Sequence, residues 1–197
     1  MDAPPAPDQI EYTPSDYFAP LPLDAMFGRE APVQIDLGCG EGAFLVAMAK
    51  AHPECNFIGI ERLVGRVRKA CKRSARAGLR NVRVMCIESL YTVSKLISPE
   101  SIAVIHVMFP DPWPKRKHRR RRLVNSGFLD AVRAALPAGG ELRLTTDDAD
   151  YFEQMKRVAS AHEGFAVIPW PDDPDYPRTD FEKHFRAQGL EIRRLLL

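Results

Sequence analysis

Positions 109–122 read FPDPWPKRKHRRRR. Asp111 stands between Pro110 and Pro112, with Trp113 and Pro114 directly after it. Each proline fixes φ and removes a backbone donor, so the turn is stiff. Stiffness suits a site whose reacting or positioning group must be held in place. From Lys115 to Arg122 every residue except His118 is Lys or Arg. The formal net charge of the 197-residue chain is only +2, so the rest of the chain is net acidic and the positive charge is local. A local cationic patch implies a specific anionic partner. Lys and Arg contacts to phosphates supply much of the affinity for nucleic acid, with strong salt dependence. Phe109 and Trp113 could stack on an unpaired base, and Trp113 could equally plug the loop from below. Charge runs are usually solvated faces, but this one interrupts a folded pattern between a strand and a helix.

A second candidate site is IDLGCGEGAF, residues 35–44. Gly38 and Gly40 let the backbone pass close to a ligand, and Gly42 permits close helix packing. Gly38, Gly40 and Ala43 also satisfy the GxGxxA dinucleotide fingerprint, a weak match in isolation. Asp36 narrows the choice. A pyrophosphate in a poorly solvated cleft would be repelled by a carboxylate two residues before the first glycine. S-adenosylmethionine has no phosphate and carries a sulfonium and an amino group, which a carboxylate suits. Glu61 closes the next strand, where an acid usually grips a ribose diol. Glu88, past the third strand, is placed to approach an adenine or to sit as an acid at a helix N-terminus.

These residues need a scaffold, and the periodicity supplies one. Short apolar runs at VQIDLG, NFIGIE, VRVMCI, IAVIHVMF and ELRLTTD alternate with helix-like stretches at GAFLVAMAKAH, RLVGRVRKACKRSARAG, LYTVSKLI, LVNSGFLDAVRAAL and DADYFEQMKRVASAH. Alternation of this kind implies an α/β fold, a mainly parallel sheet with helices on both faces. The end reads as two further strands, FAVIPW and LEIRRLLL, split by the Pro/Asp-rich loop PDDPDYPRTDFEKHFRAQG. With no helix between them, an antiparallel edge is expected, making seven strands. Residues 1–32 read as a loosely ordered arm pinned by Tyr17, Phe18, Leu21 and Leu23, and 33–197 as one domain.

Cys39, Cys55, Cys71 and Cys86 form no CxxC pair. They are expected to be reduced, buried thiols, which excludes a disulfide or zinc framework and points to the cytoplasm. No metal site is expected. The first residues lack a basic start followed by an apolar run, so no signal peptide is expected, and no stretch is long enough to span a membrane.

IDLGCGEG, GIE, FPDPWPKRKHRRRR, TTDDADY and TDFEKHFRAQG together resemble the tRNA (guanine-N7)-methyltransferase family, over a region from about Pro32 to the C-terminus. The FPDPW-K-x-x-H-x-x-R-R element is the specific part; the glycine loop alone indicates only a methyltransferase. The resemblance implies a Rossmann-like class I methyltransferase fold, S-adenosylmethionine as methyl donor and tRNA as substrate, modified at the variable-region guanine conventionally numbered 46. Asp36, Glu61, Glu88 and Asp111 match acidic cofactor-site positions, and Asp111 is also the implied catalytic residue. Lys115, Asp147, Thr179, Asp180, Phe181 and Glu182 match substrate-contacting positions. Lys117, His118, Arg119, Arg120, Arg121 and Arg122 match the RNA-contacting stretch. Two departures stand out: many members carry Glu where Asp36 stands and Asp where Glu88 stands. The family includes stand-alone enzymes and forms with a partner subunit, and a stand-alone monomer or homodimer is expected here.

Asp147 at a strand end could grip guanine or cap the following helix. Three rival functions differ in what they need: another methyl acceptor would not need seven clustered cations, an RNA-binding protein without cofactor would not need the glycines and Asp36, and a nicotinamide enzyme would need a pyrophosphate beside Asp36.

Overall fold

The computed structural model describes residues 4–172 and 176–197. Residues 1–3 of the expected arm and 173–175 of the expected Pro/Asp-rich loop lie outside the described residues. Five strands are parallel: β1 Val33–Leu37, β2 Asn56–Glu61, β3 Val82–Cys86, β4 Val104–Met108 and β5 Glu141–Thr146; β6 Arg193–Leu196 runs antiparallel to β5. Their order is β3-β2-β1-β4-β5-β6. The chain reverses its direction of sheet growth between β1 and β4. That switch point leaves a crevice at the carboxyl ends of the strands, where open α/β sheets bind ligands.

β1 and β2 are buried along their whole length, as expected of strands covered on both faces. Val33, Ile35 and Leu37 face one core with Phe128, Leu129 and Val132 of α6 (Ser126–Ala135) and Tyr151 and Met155 of α7 (Ala149–Ser160). The opposite core joins Phe57 to Phe44, Leu45 and Met48 of α3 (Ala43–Ala51) and Val67, Ala70 and Cys71 of α4 (Val64–Arg76). A one-turn α5 (Ser89–Tyr91) continues as a π-helical turn, Thr92–Leu96, under the first core.

The segment before β1 forms two short helices, α1 Pro7–Ile10 and α2 Leu23–Phe27. Leu21 is buried and Leu23 packs on the core, but Tyr17 and Phe18 are exposed; Ile10 and Met26 are buried in the two cores as well.

The sheet has six strands, not the seven expected. Phe165–Trp170 contributes only one isolated bridge, Ile168 to Leu196. Pro169 and Pro171 cannot donate to a ladder, and Val167 and Ile168 remain exposed. The expected loop before β6 instead contains α8, Asp180–Ala187. Thr179 caps it by accepting the Glu182 N–H at 2.9 Å, and Gly189, at φ 75°, follows its end. T-D-F-E followed by Gly189 is a helix start and stop signal that reading these residues as ligands concealed. Cys39, Cys55 and Cys71 are buried free thiols; Cys86 is exposed, against expectation. Among the described residues, no helix is long and apolar enough to cross a membrane.

Candidate active site

A cleft of about 350 Å³ opens at the switch point, lined by Asp36, Gly38, Cys39, Gly40, Glu41, Ala43, Phe44, Arg66, Met108, Thr179, Asp180, Phe181 and His184. That volume is within the usual small-molecule range of about 300–1,000 Å³. β1 delivers Asp36, the β1–α3 loop delivers the glycines, α4 delivers Arg66, and α8 supplies the far wall. Six residues marked from sequence meet here: Asp36, Gly38, Gly40, Thr179, Asp180 and Phe181. Glu41, Phe44, Arg66, Met108 and His184 were missed. Arg66 and His184 lie on helical faces that show their direction only after folding.

Asp36 is the dominant electrostatic feature. It is 3 % exposed, and its carboxylate makes no hydrogen bond among the described residues. Burial, reinforced by the nearby Glu61 carboxylate, pushes its pKa up to about 7. Glu61 is also buried; its Oε1 accepts the Leu63 N–H at 2.9 Å, and its Oε2 lies 3.8 Å from Arg66. Beside Asp36 across the β1–β4 register is His106. Burial holds its pKa near 3, so the ring is neutral; it joins Gln34 Oε1 at 2.9 Å and the Tyr176 hydroxyl at 3.1 Å.

Gly38 and Gly40 adopt φ of 81° and 56°, and the space a Cβ would occupy at each is open. Gly42 is different. At φ 77° its added Cβ would meet the Ala70 Cβ at 2.9 Å and Cα at 3.0 Å, so this glycine sets how closely α3 approaches α4. Gly42→Ala combines left-handed strain with overpacking against backbone and should destabilise the protein by about 2–4 kcal/mol, read as a lowered denaturation midpoint.

Other marked residues are engaged elsewhere. Glu88 caps α5, its carboxylate accepting from the Leu90 and Tyr91 N–H groups at 3.0 and 2.6 Å, and it does not line the cleft. Glu182 is 3 % exposed and pairs with Arg186 at 2.8 Å and Arg194 at 2.6 Å, tying α8 to β6. The Thr179 hydroxyl is committed to its cap. Both Thr179 and Glu182 therefore build the helix that walls the cleft. Asp180 is exposed and pairs with Arg73 and Lys183.

The FPDPW turn leaves β4 beside this cleft. Phe109 and Trp113 both take left-handed backbone, φ 55° and 44°, a strained geometry for aromatic residues. The Phe109 N–H donates to the Thr145 carbonyl at 2.8 Å, fastening the turn to the end of β5, and its ring packs on Phe185 of α8. Asp111 is exposed at the apex, and its carboxylate has no hydrogen-bond partner among the described residues. Trp113 is half-buried between the Arg121 guanidinium, 5.0 Å from its ring, and His118 in edge contact. The cations form a 3₁₀ helix, Arg116–Arg121, preceded by Lys115. Lys115, Arg116, Lys117, Arg119, Arg120 and Arg121 are exposed; Arg119 also reaches Asp150 at 3.0 Å.

Arg122 breaks from the set. It is 2 % exposed. Its Nε donates to the Pro112 carbonyl at 2.7 Å, one terminal nitrogen to Gln154 at 2.8 Å and the other to Asp150 at 2.6 Å, and the guanidinium lies over Tyr151. These contacts bolt the turn to α7, so Arg122 is unavailable to RNA. The capping question at β5 also resolves by one residue. Asp148, not Asp147, caps α7 by accepting the Tyr151 N–H at 2.7 Å. The Asp147 carbonyl accepts from Arg193, while its carboxylate makes no hydrogen bond among the described residues.

The residues fit S-adenosylmethionine. A buried, partnerless carboxylate in the cleft calls for a cation, open space over two glycines admits a ligand against backbone, and the lining is largely apolar. Asp36, Gly38 and Gly40 would hold that cofactor, with Glu61 behind them.

Residues 30–195 match the profile of a family described as "Putative methyltransferase". The chain is 43% identical over 179 residues to the tRNA (guanine-N(7)-)-methyltransferase of Aeromonas hydrophila subsp. hydrophila, covering 87% of this chain and 76% of that protein. It is 44% identical over 182 residues to the protein of the same name from Sodalis glossinidius, covering 89% and 76%. A solved structure of an antibiotic-related methyltransferase superposes with a TM-score of 0.61 at 21% identity, covering 89% of this chain and 92% of that one; at that identity the likeness is one of fold. Identity of this extent, over 87–89% of the chain, places it in the tRNA (guanine-N7)-methyltransferase family.

Proposed function

We propose that this protein transfers the methyl group of S-adenosylmethionine to N7 of a guanine in tRNA, the variable-region guanine 46, forming N7-methylguanosine. The observation that carries this reading is one of placement. The cleft, the unpartnered Asp111 and the exposed cations all stand at the carboxyl ends of β1, β4 and β5. Four free cysteines support a cytoplasmic enzyme.

S-adenosylmethionine supplies an electrophilic methyl group when bound. Guanine N7 has an in-plane lone pair at neutral pH, so attack requires no proton removal, and a general base has nothing to do at that atom. The protein's work is then positioning and charge. Asp111 is held by three prolines, two strained aromatic residues and Arg122, yet both its carboxylate oxygens lack a partner among the described residues. Those oxygens can accept the guanine N1–H and exocyclic amine, and their charge offsets the positive charge that grows on the ring. Asp147, relieved of capping by Asp148 and carried at the end of the neighbouring strand, can complete that grip.

The defining experiment is incubation with S-adenosylmethionine and unmodified tRNA, followed by mass analysis of the nucleosides. N7-methylguanosine is the expected product; a different methylated nucleoside, or none, overturns the reading. Asp111→Asn should cut the single-turnover rate by roughly 10- to 1,000-fold, as loss of an electrostatic contact does, with no ionisation limb lost from the pH–rate profile. A wild-type limb that vanishes in the variant would assign Asp111 as a base instead.

A further inference from the structure

A second cationic surface lies across the cleft from the 3₁₀ helix. α4 carries no acidic residue. Arg66, Lys69, Arg73 and Arg76 recur at spacings of three and four, so they share one side of the helix with Lys72, while Val67, Ala70, Cys71 and Ala75 fill the buried side. From Arg66 to Arg76 this face runs about 15 Å, room for several phosphates. Lys69, Lys72, Arg73 and Arg76 line a surface hollow with Glu41, and Glu41 and Arg66 also line the cofactor cleft, so the two are continuous.

The fold explains this face only in part: Arg73 and Arg76 in the last turn suit the helix dipole, but the rest of the face works against the helix. Like charges three and four residues apart destabilise a helix, and cations near its N-terminus oppose the dipole. Glu41 neutralises Lys69 at 2.6 Å and Asp180 meets Arg73 at 3.5 Å, but Lys72 and Arg76 form no ion pair among the described residues. A face that serves only solvation alternates its signs; this one is complementary to a polyanion.

We infer that the cationic face of α4 is a second docking surface for the RNA substrate, holding its sugar–phosphate backbone away from the target guanine while the 3₁₀ helix holds it near the target. The inference rests on the proposed function. Two grips on opposite sides of the cleft fix the orientation of a large substrate, which one patch at the turn would leave free to pivot.

The test measures binding of an unmodified tRNA transcript across a KCl series. It compares the wild type, Lys72→Gln/Arg76→Gln, and Arg119→Ala/Arg120→Ala/Arg121→Ala. The α4 double variant should bind about tenfold more weakly near 0.15 M salt and lower the slope of log K against log[salt] by about 2, at about 0.9 for each of the two phosphates no longer neutralised. Its affinity for S-adenosylmethionine should stay at the wild-type value, which also reports that the cleft is folded. An unchanged slope overturns the inference, as it would if α4 served an acidic protein. A mutation-free reading uses acylation of the wild type, in which saturating tRNA should protect Lys69 and Lys72; full reactivity in the complex overturns it too. The two levels fail separately. No salt-dependent tRNA binding by the wild type defeats the proposed function, whereas a slope lowered only by the Arg119–Arg121 variant defeats the α4 surface alone.

Discussion

Asp36→Asn should make the ligand-free protein more stable above neutral pH while weakening its binding of S-adenosylmethionine. The carboxylate is buried, lacks a hydrogen-bond partner among the described residues, and faces Glu61. Its pKa is about 7 in the folded protein, against about 3.9 unfolded. Between those values the folded state binds the extra proton, so stability falls as pH rises. The favourable contribution is complete below pH about 4 and is lost as pH passes 7. Asn keeps the shape and never ionises, so it removes that loss. The expected gain at pH 8 is about 1–4 kcal/mol, at roughly 2–4 °C per kcal/mol for a chain of this size. The gain should shrink towards pH 5.

Binding should respond in the opposite sense. A cationic ligand favours the ionised carboxylate, so wild-type affinity for S-adenosylmethionine should decline as pH falls below about 7, by up to tenfold per unit. Asp36→Asn should bind 10- to 100-fold more weakly at pH 8, with that dependence gone. Calorimetry and equilibrium dialysis of the same two proteins suffice. An Asn variant that is no more stable at pH 8 shows that the buried carboxylate is not strained, and one that is more stable but binds as the wild type does removes Asp36 from the cofactor site. The strain would then need another purpose, because natural sites keep a destabilising group where function uses it.

Much of this was legible before folding, for a physical reason in each case. β1 (VQIDL) and β2 (NFIGIE) are short, mostly apolar runs between helix-like stretches, as inner strands of a parallel sheet are, and glycines directly after β1 can only be at its carboxyl end. That reasoning places Asp36 without coordinates. What failed was any inference that depended on the direction of a side chain within a uniform run. Arg119 to Arg122 are identical letters, yet only Arg122 turns inward, because the 3₁₀ helix ends there and the chain heads for α6 beneath Tyr151. Asp147 and Asp148 are likewise identical neighbours, and helix geometry assigns the cap to the second. Glu88 and Glu182 were legible as acids near the site but not as acids already satisfied by N–H groups or arginines. The missing seventh strand was detectable: Pro169 and Pro171 in its reach argue against a paired ladder.

The inward turn of Arg122 divides the basic run into two kinds of residue, and their losses should differ in kind. Arg122→Ala removes three hydrogen bonds and a guanidinium packed on Tyr151. It leaves the Pro112 carbonyl without its donor and opens a void beneath a turn that already holds Phe109 and Trp113 in left-handed backbone. Asp150 keeps Arg119 at 3.0 Å, so the loss falls chiefly on the turn. A loss of about 2–4 kcal/mol in stability is expected, with kcat at saturating tRNA lowered at least tenfold, because Asp111 loses its fixed position. Arg122→Lys should not rescue either effect, since an ammonium cannot place donors on Pro112, Gln154 and Asp150 at once. Arg119→Ala/Arg120→Ala/Arg121→Ala should do the reverse: a loss of at most about 1 kcal/mol in stability, from the Trp113 and Asp150 contacts, near-normal kcat, a raised KM for tRNA and a flatter salt dependence. Denaturation curves and steady-state kinetics on the three variants separate the two roles. If Arg122→Ala keeps its stability and shifts only KM, the guanidinium reaches RNA after all, and the bolt between the turn and α7 is not what holds Asp111 in place.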